Sequence, residues 1–410
     1  MKILISGAGT AGLTVAYWLK QYGFTPTIVE SAPTLRTGGY KIDVRGEALQ
    51  VLHRAGIYDA VVTASTDMQE ALLVDKHGKV IHKMRGDAFG HRQGNDQEIM
   101  RGTLNQILLD QIPEIEIIFG DSIQSISQTN DAIEVEFQKN SPRTFDLLIG
   151  SDGLHSNVRR LVFGDEQKFS HELGIYLCVY SVPNYLNLDR TEINYTELGR
   201  TAGVWSSRSD KNAKAYFAFS SSTHIEPRDT VIQQQVVKNI FGTLGGEFPK
   251  LLNFMAETND FYFDSASQIH MNSWSSNRVI LLGDAAYCAS PMSGQGTSLA
   301  LVGAYILAGE LALAKGNYQI AFNQFEKLMR PYITLNQELG MKAAKLFRSK
   351  EKSNPLSWLI EKLMNLLPGR LVEFFINRAT KRINRAANSI VLKDYSLLLT
   401  HVCTKDPTKS

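Results

Sequence analysis

The first thirty residues carry the pattern that most constrains the fold of this chain. A short apolar run, Ile3 to Ile5, leads into the turn Gly7-Ala8-Gly9-Thr10-Ala11-Gly12, and apolar residues at helical spacing follow. A second apolar run ends at Glu30. A strand, a G-x-G-x-x-G turn, a helix, a second strand and an acid, in this order, form the fingerprint of a dinucleotide-binding βαβ unit.

Each position of this fingerprint has a physical role. Gly7 permits the tight turn, Gly9 lets the backbone approach a pyrophosphate, and Gly12 lets the helix lie close to the strand. The N-terminus of the helix presents free N–H groups and the positive end of its dipole to the phosphates. Glu30 is placed to accept hydrogen bonds from ribose hydroxyls, which predicts an adenosine without a 2′-phosphate. The fingerprint alone does not distinguish FAD from NAD.

The composition of the 410 residues is that of a globular protein, and the net charge of +2 indicates no general attraction to nucleic acid. The three cysteines lie far apart without a C-x-x-C pair, which argues against a disulfide framework or a zinc site. The N-terminus does not resemble a signal peptide, and the longest apolar candidate for a membrane span is the short stretch Leu299 to Gly309. We therefore expect a soluble cytoplasmic protein.

Two further apolar runs end in glycine–aspartate turns. Leu147 to Ile149 leads into Gly150-Ser151-Asp152-Gly153, which is either a plain turn before a helix capped by Ser156 or part of a ligand site. A later run leads into Gly283-Asp284 and then into the loop Pro291-Met292-Ser293-Gly294-Gln295-Gly296, after which a long apolar helix begins. The sequence therefore predicts three strand-to-glycine turns.

Strands and helices are also predicted outside these motifs. From Gly174 to about Gln268, long alternating stretches predict an antiparallel sheet that interrupts the α/β part. After Gly316 the pattern is helical: Tyr318 to Ser349, with Pro331 as an expected kink, then Pro355 to Leu367 and a further helix.

The three motifs in this order resemble those of the FAD-dependent aromatic hydroxylases, the class A flavoprotein monooxygenases that include p-hydroxybenzoate hydroxylase. The resemblance covers residues 1 to about 315. It implies an α/β fold with a Rossmann-like FAD-binding domain of the glutathione reductase type, an inserted antiparallel β-sheet domain for the substrate and a C-terminal helical extension. The implied divisions are a discontinuous FAD-binding domain (1–67, 99–170 and 272–316), a substrate-binding domain (68–98 and 171–271) and helices that cap the site (317–395).

The resemblance also implies roles for residues in the cofactor site. Asp284 would hydrogen-bond to the ribityl chain of FAD, and the loop Pro291 to Gly296 would present backbone N–H groups to the N1/C2=O edge of the isoalloxazine. Asp152 and Gly153 would touch the pyrophosphate region and the NAD(P)H side, and Arg101 matches an arginine near the ribityl chain. The full predicted cofactor-binding set is Gly7, Gly9, Ala11, Gly12, Glu30, Gly39, Arg101, Asp152, Gly153, Gly283, Asp284, Pro291, Gly294, Gln295 and Gly296.

The substrate contacts are less constrained by the sequence. Met292 lies in the loop that would face the isoalloxazine, so it either touches the substrate or packs in the interior. Arg200, Arg208 and Phe217 lie on the predicted sheet and are candidates for lining the pocket, with a solvated arginine as the alternative. The capping helices would place Leu339 to Phe347 near the opening of the site.

A narrower resemblance comes from the Gly38-Gly39-Tyr40-x-Ile42-Asp43 loop, from the residues of the third motif and from the C-terminal extension. These look like the tetracycline-inactivating monooxygenases, or tetracycline destructases. Tyr287 and Ser290 stand where many other family members have His and Pro. The resemblance implies an enzyme that uses NADH or NADPH and O₂ to oxidise a polycyclic aromatic or polyketide substrate through a flavin C4a-hydroperoxide, with tetracycline antibiotics as the expected substrates. We expect a monomer, although the sequence itself does not give the oligomeric state.

Two alternatives remain open at this point: a hydroxylase of another phenolic or polyketide compound, and a non-catalytic flavin-binding protein. The flavin carries the hard chemistry of such a reaction, so no catalytic side chain is required. No Ser/His/Asp arrangement or metal set stands out in the sequence. Asp264, His270 and His224 are isolated in the sequence, and we expect them to be structural.

Overall fold

The computed structural model describes residues 1–35, 39–86, 90–197, 199–208, 211–225, 229–348 and 369–401, without the side chains of 369–377, 400 and 401. The predicted helix from Pro355 to Leu367 and the residue Gly38 lie outside these residues.

Eleven α-helices and eighteen strands are found in the described part of the chain, besides short 3-10 helices. The helices are α1 (Thr10–Gln21), α2 (Glu47–Arg54), α3 (Tyr58–Thr63), α4 (Arg101–Asp110), α5 (Asn157–Phe163), α6 (Thr230–Phe241), α7 (Phe248–Phe254), α8 (Asp284–Tyr287), α9 (Gly296–Leu313), α10 (Tyr318–Arg348) and α11 (Gly369–Ala387). The strands are β1 (Lys2–Ser6), β2 (Thr25–Glu30), β3 (Lys41–Val44), β4 (Glu70–Val74), β5 (Val80–Arg85), β6 (Gln97–Met100), β7 (Glu116–Phe119), β8 (Ile123–Gln128), β9 (Ile133–Phe137), β10 (Arg143–Phe145), β11 (Leu147–Gly150), β12 (Ser170–Pro183), β13 (Thr191–Glu197), β14 (Arg200–Ser206), β15 (Asn212–Ser220), β16 (Tyr262–Ile269), β17 (Ser275–Ser276) and β18 (Val279–Leu281).

A six-stranded sheet carries all three glycine motifs. Its order is β17-β18-β11-β1-β2-β7, and β1 pairs in parallel with both β11 and β2, while β11 pairs in parallel with β18. The strands that precede the three motifs are therefore neighbours that run in one direction. Because the carboxyl ends of parallel strands meet at one edge, the three turns lie together there.

The apolar helix α9 forms the interior of this part of the fold. It packs against α1, α2 and α10, and 78% of it is buried inside the protein. Its length and composition would suffice to span a membrane, but a core helix of a globular protein is apolar on all sides for the same reason. Gly303 leaves room for the buried hydroxyl of Tyr287, so Tyr287 is a core residue at the base of the third motif.

A second, seven-stranded sheet has the order β16-β12-β15-β14-β13-β4-β5. All of its pairs are antiparallel except β13 with β4, so the expected antiparallel sheet is in fact mixed. The strands β4 and β5 pair antiparallel and form a hairpin. One face of this sheet packs against α6 and α7 around a core that includes Tyr180, Phe217 and Phe241. Strands β13 and β16 contact the segment at the start of β3, where Lys41 pairs with Glu192 and Tyr40 meets Tyr262.

The C-terminal part of the chain packs on both regions. Helix α10 continues through Pro331 and lies on the loop Pro291–Ser293, where a side chain at Gly340 would reach within 2.5 Å of the Ala289 carbonyl oxygen. Residues 390–395, here called the C-terminal strap, return to α9. The hydroxyl of Tyr395 donates to buried Glu310 at 2.6 Å, and the ring of Tyr395 fills the space next to Gly309.

Candidate functional site

The first motif builds a tight turn that leaves open space at one position. Gly7 has a φ of +101°, and a Cβ there would lie 2.7 Å from the Ser151 carbonyl oxygen. A Cβ at Gly12 would lie 1.9 Å from the Gly7 carbonyl oxygen. Gly9, which caps α1, has no atom within 4 Å of the place a Cβ would take. Gly7 and Gly12 therefore shape the turn, and Gly9 keeps the N-terminus of α1 accessible.

Glu30 is fixed beside this turn at the end of β2. Its carboxylate accepts hydrogen bonds from the backbone N–H groups of Ala8 and Ala32, both at 2.8 Å. A carboxylate offers about four lone-pair sites, so it retains the capacity to accept from ribose hydroxyls. The backbone thus holds the acid at the position that the fingerprint requires.

A cavity of about 240 Å³ extends from this turn toward the second motif. Arg101 and Asn105 of α4 form one side of it, and Thr10 donates to Asn105 at 2.8 Å. Among the residues that the structure describes, no group accepts a hydrogen bond from the Arg101 guanidinium, whose charged neighbour is Asp284. The cavity is lined by Ser6, Gly7, Ala8, Gly9, Val29, Glu30, Ser31, Leu35, Arg101, Asn105, Asp121, Ser122, Ser151, Asp152, Gly153, His155 and Asn157.

The two residues of the second motif have different surroundings. The Asp152 carboxylate accepts from the backbone N–H of Val158 at 3.0 Å and from the Ser156 hydroxyl, so it faces the start of α5. Burial raises the pKa of Asp152. Ser156 caps α5 by accepting from the N–H of Arg159 at 3.0 Å. Gly153 has a φ of +83° and open space where a side chain would lie. The hydrogen bonds of the Asp152 carboxylate are therefore those of a turn before α5, while both Asp152 and Gly153 line the cavity.

The third motif lies directly on the first. Gly283 has a φ of +66°, and a Cβ there would lie 3.1 Å from the Cβ of Ala11. Asp284 begins α8, and its side chain is accessible to solvent although protein surrounds it, as at the bottom of a cleft. This crowding raises the pKa of the Asp284 carboxyl. A Cβ at Gly296 would lie 4.0 Å from the Asp284 carboxylate.

The loop before α9 offers its backbone to this cleft. Gly294 has a φ of +63° and open space where a side chain would lie. The side chain of Gln295 is fully buried, and its amide has no hydrogen-bond partner among the described residues, so the side chain does not reach the cleft. Of the other predicted residues, Gly39 lies next to Arg101: a Cβ at Gly39 would lie 3.7 Å from the Arg101 Cβ.

These features fit FAD. Open backbone at Gly9, Gly153 and Gly294 leaves room for an elongated ligand, and the Arg101 charge is free to pair with a phosphate. Asp284 lies at the end where a ribityl chain would reach the third motif.

The structure places two of the four predicted substrate residues, Phe217 and Arg200, on the side of the sheet away from this cleft. Phe217 is fully buried in the core against α6 and α7. Arg200 pairs with Glu197 at 2.7 Å and is also directed to that side. Arg208 is half-exposed and pairs with Asp67. Side chains on a strand alternate between faces, so the cleft side of β15 instead carries Tyr216.

Met292 lies where the sequence places it, in the loop after Ser290. It packs in a small apolar cluster with Phe347 of α10 and Ile175 of β12. The end of α10 therefore covers the loop beside the cleft, which agrees in location with the expected cap around Leu339 to Phe347. Both the packing role and a substrate contact remain consistent with this half-buried methionine.

Several residues of the cleft were not expected from the sequence. Tyr40 and Tyr262 lie with ring centroids 5.8 Å apart, one from each sheet region. Asp264 accepts from the Tyr262 hydroxyl at 3.1 Å and pairs with His155 at 3.5 Å, so Asp264 is not isolated. No local sequence pattern marks the contacts of Tyr40 with Tyr262 and of His155 with Asp264, because each joins residues more than a hundred positions apart. His224 and His270 do have structural partners, Glu172 and Gln268, respectively.

Comparison with known proteins identifies the family. Residues 1–317 match the family described as "FAD binding domain", which is three-quarters of the chain. The chain belongs to the flavin-dependent monooxygenases. A flavin-dependent monooxygenase of Legionella longbeachae is 39% identical over 375 residues, which cover 89% of this chain and 96% of the relative. A second protein of that description, from an unknown prokaryotic organism, is 37% identical and covers 96% of this chain and 99% of the relative.

Solved structures agree with this flavin-dependent monooxygenase assignment. The crystal structures of the tetracycline destructases Tet(51) and Tet(55) match with TM-scores of 0.83 and 0.85, each at 37% identity. Each match covers 96% of this chain and 98% of the other. Klebsiella pneumoniae HpxO, solved with FAD and uric acid, shares the fold at a TM-score of 0.73 and 20% identity. The predicted fold class and family resemblance are confirmed.

Proposed function

We propose that this flavin-dependent monooxygenase oxidises and thereby inactivates tetracycline antibiotics, using NADPH or NADH as the reductant and O₂ as the oxidant. The observation that carries the proposal is the extent of its likeness to Tet(51) and Tet(55). That likeness covers 96% of the chain. It therefore includes the seven-stranded sheet, here called the substrate-side sheet, and the C-terminal helices, and not the dinucleotide-binding part alone.

The cofactor-side residues have separate tasks in this proposal. The N-terminus of α1 and the Arg101 guanidinium bind the pyrophosphate, and Glu30 accepts from the adenosine ribose. Asp284 accepts from the ribityl hydroxyls. FAD, when bound, supplies the electron transfer from the nicotinamide and the activation of O₂. The positive end of α9, which starts at Gly296, stabilises negative charge on the pyrimidine side of the flavin ring.

The substrate-side residues support a planar, multi-ring ligand. Tyr40 and Tyr262 present aromatic rings at the cleft, and the apolar cluster of Met292 and Phe347 limits access of water near the loop. Exclusion of water is needed because a reactive oxygen species would otherwise decay without oxidising the substrate. We also place the enzyme in the cytoplasm, since Cys178 and Cys288 are buried free thiols.

The test follows NADPH oxidation and tetracycline absorbance together, with FAD-loaded protein. The proposal expects NADPH consumption that depends on the drug, loss of the tetracycline chromophore and a product that is heavier by one oxygen atom. Protein without FAD is the control and should leave the drug unchanged.

Two outcomes would contradict the proposal in different ways. Stimulation of NADPH oxidation by other phenolic or polyketide compounds, but not by tetracyclines, would assign a different hydroxylase activity. A protein that binds flavin, but whose NADPH oxidation no aromatic ligand stimulates, would favour a non-catalytic flavin-binding protein. Running NADH in parallel identifies the preferred reductant.

A further inference from the structure

His155 connects the second glycine motif to the substrate-side sheet. Its imidazole Nδ1 lies 2.8 Å from a carboxylate oxygen of Glu166, and its Nε2 lies 3.5 Å from a carboxylate oxygen of Asp264. Glu166 belongs to the same region as the second motif, whereas Asp264 lies on β16 of the seven-stranded sheet. The ring therefore bridges the two sides of the cleft through two carboxylates.

The contacts continue from Glu166 to the third motif. The second oxygen of Glu166 accepts from the guanidinium of Arg159 at 2.8 Å, and this arginine is fully buried. The same guanidinium donates to the carbonyl oxygen of Ala285 at 3.0 Å. Ala285 directly follows Asp284. A continuous chain of contacts thus runs from the substrate-side sheet to the turn that carries Asp284. It consists of three ion pairs, which join Asp264, His155, Glu166 and Arg159, and of the final hydrogen bond to Ala285.

We propose that His155 is a positioning residue that keeps the substrate-side sheet and the Asp284 turn together, and so sets how fast FAD leaves the cleft. The inference rests on FAD as the cofactor but not on tetracycline as the substrate. His155 also lines the cavity together with residues of the first and second motifs. Separation of His155 from Asp264 would therefore open the cofactor site itself.

We expect the contact between His155 and Asp264 to slow the opening of the cleft while adding little to the free energy of unfolding. An ion pair with a half-exposed partner contributes little to the free energy of unfolding, and the side chain of His155 is 55% exposed. Release of an elongated cofactor, however, requires the two sides of the cleft to separate, and this breaks the contact between His155 and Asp264. Loss of the bridge should therefore change the release rate more than the melting temperature.

The charge state of His155 provides a second readout. Hydrogen bonds with Asp264 and Glu166 raise the pKa of His155 to about 10, so the ring is protonated at neutral pH. The charged or titratable groups around it are Glu166 beside the second motif, Asp264 and Tyr262 on β16, and Arg159 behind Glu166. Because the pKa is raised, the bridge is fully present below the ordinary value of 6.5 and is lost as pH rises through about 10.

The experiment measures FAD release from the full-length holoprotein, as recovery of flavin fluorescence after dilution. We expect His155→Gln and Asp264→Asn each to speed release by about two- to fivefold, the change that corresponds to loss of a partly exposed ion pair. The double variant should release FAD no faster than His155→Gln alone, because that variant has already lost the contact that Asp264→Asn breaks. His155→Arg, which keeps the positive charge, should restore slow release.

The matched control is His224→Gln. His224 forms a similar exposed pair with Glu172 at 3.3 Å, within the substrate-side region and away from the described cavity. This variant should release FAD at the wild-type rate, and all variants should melt within a few degrees of wild type. Wild-type release should accelerate between about pH 8 and 10.5, whereas release from His155→Gln should not change in that range.

Unchanged release rates in both single variants would overturn the proposal, as would additive effects in the double variant. A pH profile of His155→Gln identical to that of wild type would overturn it as well. The outcome is separable from the substrate assignment, since slow, His155-dependent FAD release can be observed in a protein that leaves tetracycline unchanged.

Discussion

Two glycines of the first motif should respond in opposite ways to substitution. At Gly9 the backbone has a φ of −81°, which valine adopts without strain, and a Cβ meets no atom within 4 Å. Gly9→Val should therefore fold normally while its methyl groups occupy the space of the pyrophosphate. At Gly12 a Cβ would lie 1.9 Å from the Gly7 carbonyl oxygen, so even Gly12→Ala must displace the turn.

The magnitude for Gly9→Val follows from the contacts that it blocks. A hydrogen bond to a charged group contributes about 1.5–3 kcal/mol, and about 1.4 kcal/mol corresponds to a tenfold change in Kd. Loss of one N–H contact from the start of α1 to the pyrophosphate should weaken FAD binding about 10- to 100-fold.

The assay titrates apoprotein with FAD and follows flavin fluorescence, with thermal unfolding of the same samples. Gly9→Val should keep the melting temperature of the wild-type apoprotein and lose FAD affinity. Gly12→Ala should lower the melting temperature of the apoprotein itself. A Gly9→Val protein that binds FAD with the wild-type Kd would refute the reasoning, and so would a Gly12→Ala protein that melts like wild type.

Further changes test other parts of the fold and site. Tyr395→Phe removes a hydrogen bond from buried Glu310 and should lower the free energy of unfolding by about 1.5–3 kcal/mol, measured by urea unfolding, with FAD affinity unchanged. Asp284→Asn should weaken FAD binding about tenfold without affecting folding; an unchanged Kd would contradict a ribityl contact. Burial by itself would raise the pKa of Asp260, but hydrogen bonds from Lys214 and from hydroxyl groups lower this pKa overall. The ionised carboxylate should therefore stabilise the fold above about pH 4, and this stabilisation should be lost in stronger acid. Asp260→Asn should lack this acid-dependent loss in thermal unfolding.

The sequence predicts the cofactor side of this protein well because its signals are local. Each glycine motif directly follows a short apolar run, so strand, turn and helix are visible within a few residues of Gly9 or Gly283. The parallel neighbours β1, β11 and β18 then follow from the general rule that such turns meet at one edge of the sheet.

The substrate side could not be predicted in the same way. On β15 a shift of one residue moves a side chain from the cleft to the core, so the choice between Tyr216 and Phe217 depends on which face α6 and α7 cover. The bridge between His155 and Asp264 depends on the approach of two sheets. No periodicity or spacing reports either arrangement, since both result from tertiary packing.

The packing of α9 between α1 and the C-terminal strap also bears on when the enzyme can acquire its cofactor. The fingerprint is synthesised first, but α1 packs against α9, and Glu310 of α9 has as its partners Lys393 and Tyr395 of the C-terminal strap. The nascent fingerprint therefore has no complete partner surface until nearly the whole chain has left the ribosome. We therefore expect FAD capture to follow translation. A product truncated before residue 393 would keep every glycine motif while leaving the buried Glu310 carboxylate without these two partners.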